Sequence, residues 1–174
     1  MENAKIANMY DLSQTIAGEY LAKFTYPWEA LAGLKAEILR LGAALDPAEY
    51  TEISEHVWVH KTATVAPTAY LGAPCIIGAR TEVRHCAFIR GAALVGKNCV
   101  VGNSAELKNA VLFDGEVDIC GAGDTSLSAF SAAIAAKTEL KAAAQFAGLA
   151  SGVTVRKIGV TGTASPEEIE ALAQ

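Results

Sequence analysis

Four consecutive residues, Gly121-Ala122-Gly123-Asp124, open an Ala- and Ser-rich run that reads as helical. Small residues at a helix start leave backbone N–H groups free to face an anion, and the helix dipole adds positive potential there. Asp124 would place a carboxylate beside a phosphoryl group bound at that point. A second constellation is Arg84-His85 with Arg90. Two guanidinium groups six residues apart are expected to stack on successive turns of one face, where with His85 they suit contacts to a phosphate or sugar phosphate, and an exposed imidazole also suits a general base. Lys108 extends the basic series, although a solvated basic edge fits the same residues. No Asp or Glu partner for His85 is evident from the sequence.

The elements that must position these residues are of two kinds. Val59, Val65, Leu71, Ile77, Val83, Ile89, Val95, Val101, Leu107 and Phe113 fall at a constant spacing of six. A small residue stands four after most of them, including Cys75 and Cys99, and Gly72, Gly78, Gly96 and Gly102 follow the large residue at once. Neither a helix, with a period of 3.6, nor a hairpin keeps such a count, so the chain turns every six residues and stacks as a solenoid. The large and small residues are expected inside, with the glycines at corners that demand freedom from Cβ strain.

The period ends just before Gly115. Beyond it, helices are expected up to Ala136, from Glu139 to about Thr154, and from Pro166 onward. Ser165-Pro166-Glu167-Glu168 is a capping box with proline in the first turn. The helix bearing Leu127, Phe130 and Ile134 is a candidate cap for the apolar end of the solenoid. Before the repeat, residues 8–23 and 28–43 carry helical periodicity, with Pro27 and Gly42 at the expected ends of the second helix. Asp46-Pro47-Ala48-Glu49 offers a further turn. Trp28, Tyr20 and Phe24 read as core aromatics, with a pocket as the alternative.

The 174 residues are 52% hydrophobic and 19% charged, with a net charge of −5, which indicates a folded chain and gives no support to a nucleic-acid or anionic-membrane partner. The start of the chain has no signal-peptide pattern and no apolar run is long enough to span a bilayer, so a cytoplasmic protein is expected. Cys75, Cys86, Cys99 and Cys120 lack metal-ligand spacing; reduced thiols and no metal site are expected.

The six-residue pattern resembles the hexapeptide-repeat family. The run Thr81-Glu82-Val83-Arg84-His85-Cys86-Ala87-Phe88-Ile89-Arg90-Gly91, with Leu94-Val95-Gly96 and Val101 through Asn109, is similar to UDP-N-acetylglucosamine pyrophosphorylase-related and hexapeptide nucleotidyl/acyltransferase proteins, over roughly residues 1–115. That resemblance implies a left-handed parallel β-helix, here truncated to about three coils, a homotrimer, and a UDP-sugar or an acyl-CoA such as acetyl-CoA as ligand. The relatives continue for several more coils that this chain lacks. Residues 117–172, beginning Val117-Asp118-Ile119-Cys120-Gly121-Ala122-Gly123-Asp124-Thr125, resemble the last part of PfkB/ribokinase-like sugar kinases, including the heptose-phosphate kinase branch. By that resemblance Gly121, Ala122 and Gly123 form the anion hole, Asp124 is the catalytic base, Asp118 and Thr125 are neighbours, and the ligands are ATP-Mg and a sugar or sugar phosphate. Gly148 stands where many members carry asparagine, and the sugar pocket, lid and most of the sheet would precede the motif.

The expected fold class is therefore mixed α and β: a helical segment over 1–55, a hexapeptide-repeat β-helix over 56–115, and a helical segment from a ribokinase-like α/β fold over 116–174. Three functional readings stand. One is a fusion hybrid of transferase ancestry without a complete active site, the second an ATP-dependent carbohydrate kinase, the third a trimeric nucleotidyl/acyltransferase.

Overall fold

The computed structural model describes residues 5–115, 117–118, 122–157 and 164–173. The chain divides into two compact units, Met1–Gly115 and Glu116–Gln174.

The first unit is a three-sided β-solenoid with short helices on one side. Strands β2 (Val57–His60), β5 (Cys75–Ile77), β8 (Ala93–Val95) and β11 (Ala110–Leu112) stack in parallel to form one side, and β1 (Tyr50–Ser54) pairs antiparallel with β2. The second side is built from β3 (Thr64–Val65), β6 (Glu82–Val83) and β9 (Cys99–Val101), the third from β4 (Tyr70–Leu71), β7 (Phe88–Ile89) and β10 (Glu106–Leu107). Stacked partners are 18 residues apart, as Val57 and Cys75 or Val83 and Val101 are. Three hexapeptides thus make one coil, and about three coils are present. The core is the expected one: Ile77, Val83, Ile89, Val95 and Val101 are at most 1% exposed, and Cys75, Thr81, Ala87, Ala93 and Cys99 fill the small positions between them.

Two details depart from the sequence reading. The left-handed backbone falls three residues after the large side chain, at Arg80, Cys86, Ala92, Asn98 and Ser104, with φ between 49° and 58°. Gly72, Gly78 and Gly96, which follow the large residue, serve a different purpose, close approach of stacked backbones. A Cβ on Gly78 would lie 2.5 Å from the carbonyl of Gly96, and one on Gly96 would lie 2.6 Å from the amide nitrogen of Asp114. The period also slips by one at the last coil. Leu107 still pairs with Ile89, but Leu112, not Phe113, pairs with Val95, a separation of 17. Phe113 is therefore not the tenth core residue.

The expected helix over 8–23 is broken into α1 (Ile6–Met9), a 3₁₀ turn at Leu12–Gln14 and α2 (Gly18–Leu21). Local side chains compete with helical bonding: Asp11 accepts from the Ser13 amide at 3.0 Å, and Thr15 is extended with its hydroxyl accepting from Ala17 N at 3.2 Å. The second expected helix becomes a 3₁₀ stretch at Pro27–Ala32 followed by α3 (Leu34–Ala43), with Glu29 accepting from the amides of Thr25 and Tyr26. Asp46 forms the expected turn, accepting from Ala48 N at 2.7 Å. Ala17, Tyr20, Leu21, Leu34 and Ile38 bury against the outward row Trp58, Ile76 and Leu94 of the first side. Each leucine or isoleucine among them releases roughly 1.5–3 kcal/mol when fully buried, which binds these short helices to the solenoid.

Among its described residues the second unit contains the short strand β12 (Val117–Asp118) and three helices, α4 (Ala122–Ala135), α5 (Leu140–Thr154) and α6 (Pro166–Ala173). Its small core joins Ala150, Val153 and Ile169 with Ala129, Leu149 and Leu172. The capping box of α6 is formed as expected: Ser165 N donates to Glu168 at 2.8 Å and Glu168 N donates to the Ser165 hydroxyl at 3.3 Å.

Candidate functional site

The candidate anion site lies at the start of α4, in the second unit. Gly123 and Asp124 occupy its first turn and both are exposed. Amides in a first helical turn have no intrahelical acceptor, so they are available to an anion, and a carboxylate at that end is favoured by the helix dipole. A Cβ on Gly123 would meet nothing within 4 Å, so an approaching group finds open space there. Gly121 lies outside the described residues, and Ala122 is the first residue of α4. The helix start is anchored from behind. Thr154, 0% exposed on α5, has its hydroxyl 3.2 Å from that of Thr125 and 3.2 Å from the carbonyl oxygen of Ala150. This part-buried hydroxyl pair, one residue after Asp124, ties the turn that carries the carboxylate to α5. Gly148 on α5 also faces open space, with nothing within 4 Å of an added Cβ.

Arg84, His85 and Arg90 lie in the first unit. Residues six apart in this solenoid occupy successive sides, so Arg84 opens the turn after β6 and Arg90 the turn after β7; the two do not stack on one face. The stacked neighbour of Arg90 is Lys108, one past the Leu107–Ile89 pair. Arg84 pairs with Glu82 at 3.3 Å, and Arg90 with Glu106 at 2.8 Å. Much of their charge is compensated by these carboxylates before any ligand arrives. His85 is exposed, and its Nδ1 lies 3.1 Å from the Thr68 hydroxyl, which in turn accepts from Cys86 N at 3.1 Å. The orienting partner of His85 is thus a threonine from the preceding coil. It was not identifiable from the sequence because it requires the 18-residue register.

The aromatic trio separates. Tyr20 is buried, donating to the Ala30 carbonyl at 2.5 Å and meeting Phe24 edge-on, whereas Trp28 is half exposed and stacks on Tyr26. Burial pushes the Cys75 thiol up to about 12 and the Cys99 thiol to about 11, where both are inert; Cys86 is exposed. Among the described residues, no group of three or more His, Cys, Asp or Glu is placed to hold a metal ion, and no helix is long and apolar enough to cross a membrane.

Comparison with known proteins finds likeness over part of the chain. The bifunctional protein HldE of a Nitratiruptor species is 55% identical over 53 residues, 30% of this chain and 11% of that protein. The bifunctional proteins HldE of Pseudomonas aeruginosa and Pseudomonas fluorescens are 46% and 48% identical over 50 residues, 29% of this chain. The chain spans about a tenth of the length of these relatives. No family model and no solved structure matches it.

Proposed function

We propose that this chain is a transferase-derived fusion hybrid, in which a hexapeptide-repeat solenoid of the nucleotidyl/acyltransferase kind carries a partial sugar-kinase segment and neither part holds a complete active site. The observation that carries this reading is the combination of a β-solenoid unit with a stretch close to HldE that amounts to 10% or 11% of each of those proteins. Exposure within the second unit supports it. Leu127, Ile134, Leu140 and Phe146 are 67%, 41%, 66% and 40% exposed, an apolar surface that a complete α/β domain would bury against its sheet. Phosphoryl transfer needs groups fixed to about half an ångström and a site closed to water, and Asp124 stands exposed.

The exposed carboxylate beside free helical amides favours a second reading, an ATP-dependent carbohydrate kinase. Asp124 would accept the proton of a sugar hydroxyl as its oxygen attacks the γ-phosphorus of ATP-Mg. The bond to the ADP oxygen would break, while the amides at 121–123 stabilise the transferring group. In the solenoid, a UDP-sugar or acetyl-CoA would be the ligand of a trimer. On the side built on β7, Tyr70 and Phe88 are exposed apolar groups that such association would cover.

One set of assays on the full chain separates these readings: thermal unfolding with ATP-Mg, UDP-sugar, acetyl-CoA and sugar phosphates, together with phosphoryl transfer by the protein and by Asp124→Asn. The hybrid reading expects no turnover and no stabilisation. Transfer that falls by about 100-fold or more in Asp124→Asn would establish the kinase. Stabilisation by UDP-sugar or acetyl-CoA would favour the third reading.

A further inference from the structure

The register slip in the last coil leaves a cavity in the first unit with no role in either candidate site. Under the helices, the outward row of the first side runs Trp58, Ile76, Leu94 and then Val111, which pairs with Leu94 because of the 17-residue step. The first three are at most 8% exposed beneath the helices, whereas Val111, the smallest, is only half-buried. Phe113, displaced from the core by the same slip, stacks on Tyr10 with ring centroids 5.1 Å apart and planes at 18°. Between that aromatic pair, Val111 and the helical residues Ala30, Leu31 and Leu34 lies a cavity of about 130 Å³.

We propose that this cavity is a binding site for an uncharged hydrocarbon group of about six carbon atoms. Its lining carries no charged side chain, and Tyr10 supplies the one side chain with a polar atom. Tyr20 already occupies the Ala30 carbonyl, so a water molecule would find few of the two to four partners it needs. The volume is close to that of an engineered apolar cavity of about 150 Å³ that stays dry and accepts benzene. Leu31 and Tyr10, 49% and 39% exposed, mark the way in. A ring entering there would lie against Phe113 and displace no ordered polar contact.

Benzene is the direct probe. Thermal unfolding of the full chain is measured at increasing benzene, alongside Val111→Phe, which fills the cavity, and Leu31→Trp, which covers its half-exposed mouth and spares the buried core. At ten times the dissociation constant, the unfolding equilibrium constant of the wild-type chain is expected to fall about elevenfold. The fold-change should keep growing in proportion to benzene above the dissociation constant and be lost in both variants, or in Leu31→Trp alone should Val111→Phe fail to fold. Methyl resonances of Leu31, Leu34 and Val111 should shift along a saturable curve with the same dissociation constant. The absence of saturable methyl shifts, or an equal stabilisation in Leu31→Trp, overturns the assignment.

Discussion

Replacing Gly78 by alanine tests the claim that the glycines after the large repeat residue serve stacking and not corner geometry. The new Cβ would lie 2.5 Å from the carbonyl carbon and oxygen of Gly96 and 2.8 Å from the amide nitrogen of Lys97, all of them backbone atoms of the next coil. Restoring ordinary contact at 3.4 Å would require that coil to withdraw by roughly 0.9 Å. It is tied down by Gly78 N donating to Val95 at 2.8 Å and by the buried Thr81 hydroxyl donating to Gly96 at 2.7 Å. Withdrawal sacrifices both bonds, at about 1 kcal/mol each, on top of an overpacking cost of about 1–3 kcal/mol. The expected loss is about 3–5 kcal/mol.

Cys86→Gly is the opposite case. Cys86 is exposed at φ 58°, so glycine relieves strain there; the expected outcome lies between no change and about 1 kcal/mol of added stability. Both tryptophans, Trp28 and Trp58, belong to the first unit, so their fluorescence in urea reports this unit alone. With a slope of about 2 kcal/mol per molar urea, the Gly78→Ala midpoint should fall by roughly 1.5–2.5 M. A Gly78→Ala midpoint unchanged within about 0.3 M, or an equal loss in Cys86→Gly, would refute the stacking argument.

Two further outcomes follow from charge and burial. Glu37 accepts two bonds from Arg40, at 2.6 Å and 2.9 Å, and this guanidinium holds its carboxyl below the usual 4.5. Because the folded-state value is depressed, the stabilisation is present above the unfolded value and lost as pH falls through the folded one. The advantage of the wild-type chain over Glu37→Gln in thermal unfolding should therefore shrink as pH is lowered from about 6 to about 3. Thiol reagents at about pH 8 should modify exposed Cys86 at once and reach Cys75 and Cys99 only on unfolding, as mass spectrometry of peptides from the timed reaction would show.

The solenoid was legible because a period of six requires both large and small residues at fixed places, and Ile77 with Cys75 or Val95 with Ala93 satisfy both conditions. The corners were not. Arg80, Cys86, Ala92, Asn98 and Ser104 have nothing in common as residue types, and only Asn98 hints at a left-handed backbone. The slip at the last coil was hidden for a similar reason: Phe113 is apolar and correctly spaced, yet the turn at Asn109 comes one residue early and Leu112 takes the inner place. The amino-terminal helix was misjudged because apolar periodicity does not register the local bonding of Asp11 and Thr15. For the candidate sites, Gly123 and Asp124 do stand in the first turn of a helix, but the Thr125–Thr154 pair behind them depends on how α5 packs. Arg84 and Arg90 looked like a row only while six residues were taken as one step along the stack.

On the proposed hybrid reading, truncation would act differently on the two units. In a solenoid each coil contacts only its neighbours, so a stack shortened to about three coils keeps its interior. The central coil here does so: Ile77, Ile89 and Val95 are buried whatever continues beyond. Helices drawn from an α/β fold have no such independence, because each owes its apolar face to a sheet supplied by residues elsewhere in the chain. α4 and α5 retain a shared core through Ala150 and Val153, but Leu127, Leu140 and Phe146 remain open to solvent. A scaffold can survive such shortening as a scaffold. On the proposed reading a phosphoryl-transfer site would not survive it as a catalyst, because amides and a carboxylate work there only when a surrounding fold excludes water and holds both substrates against them.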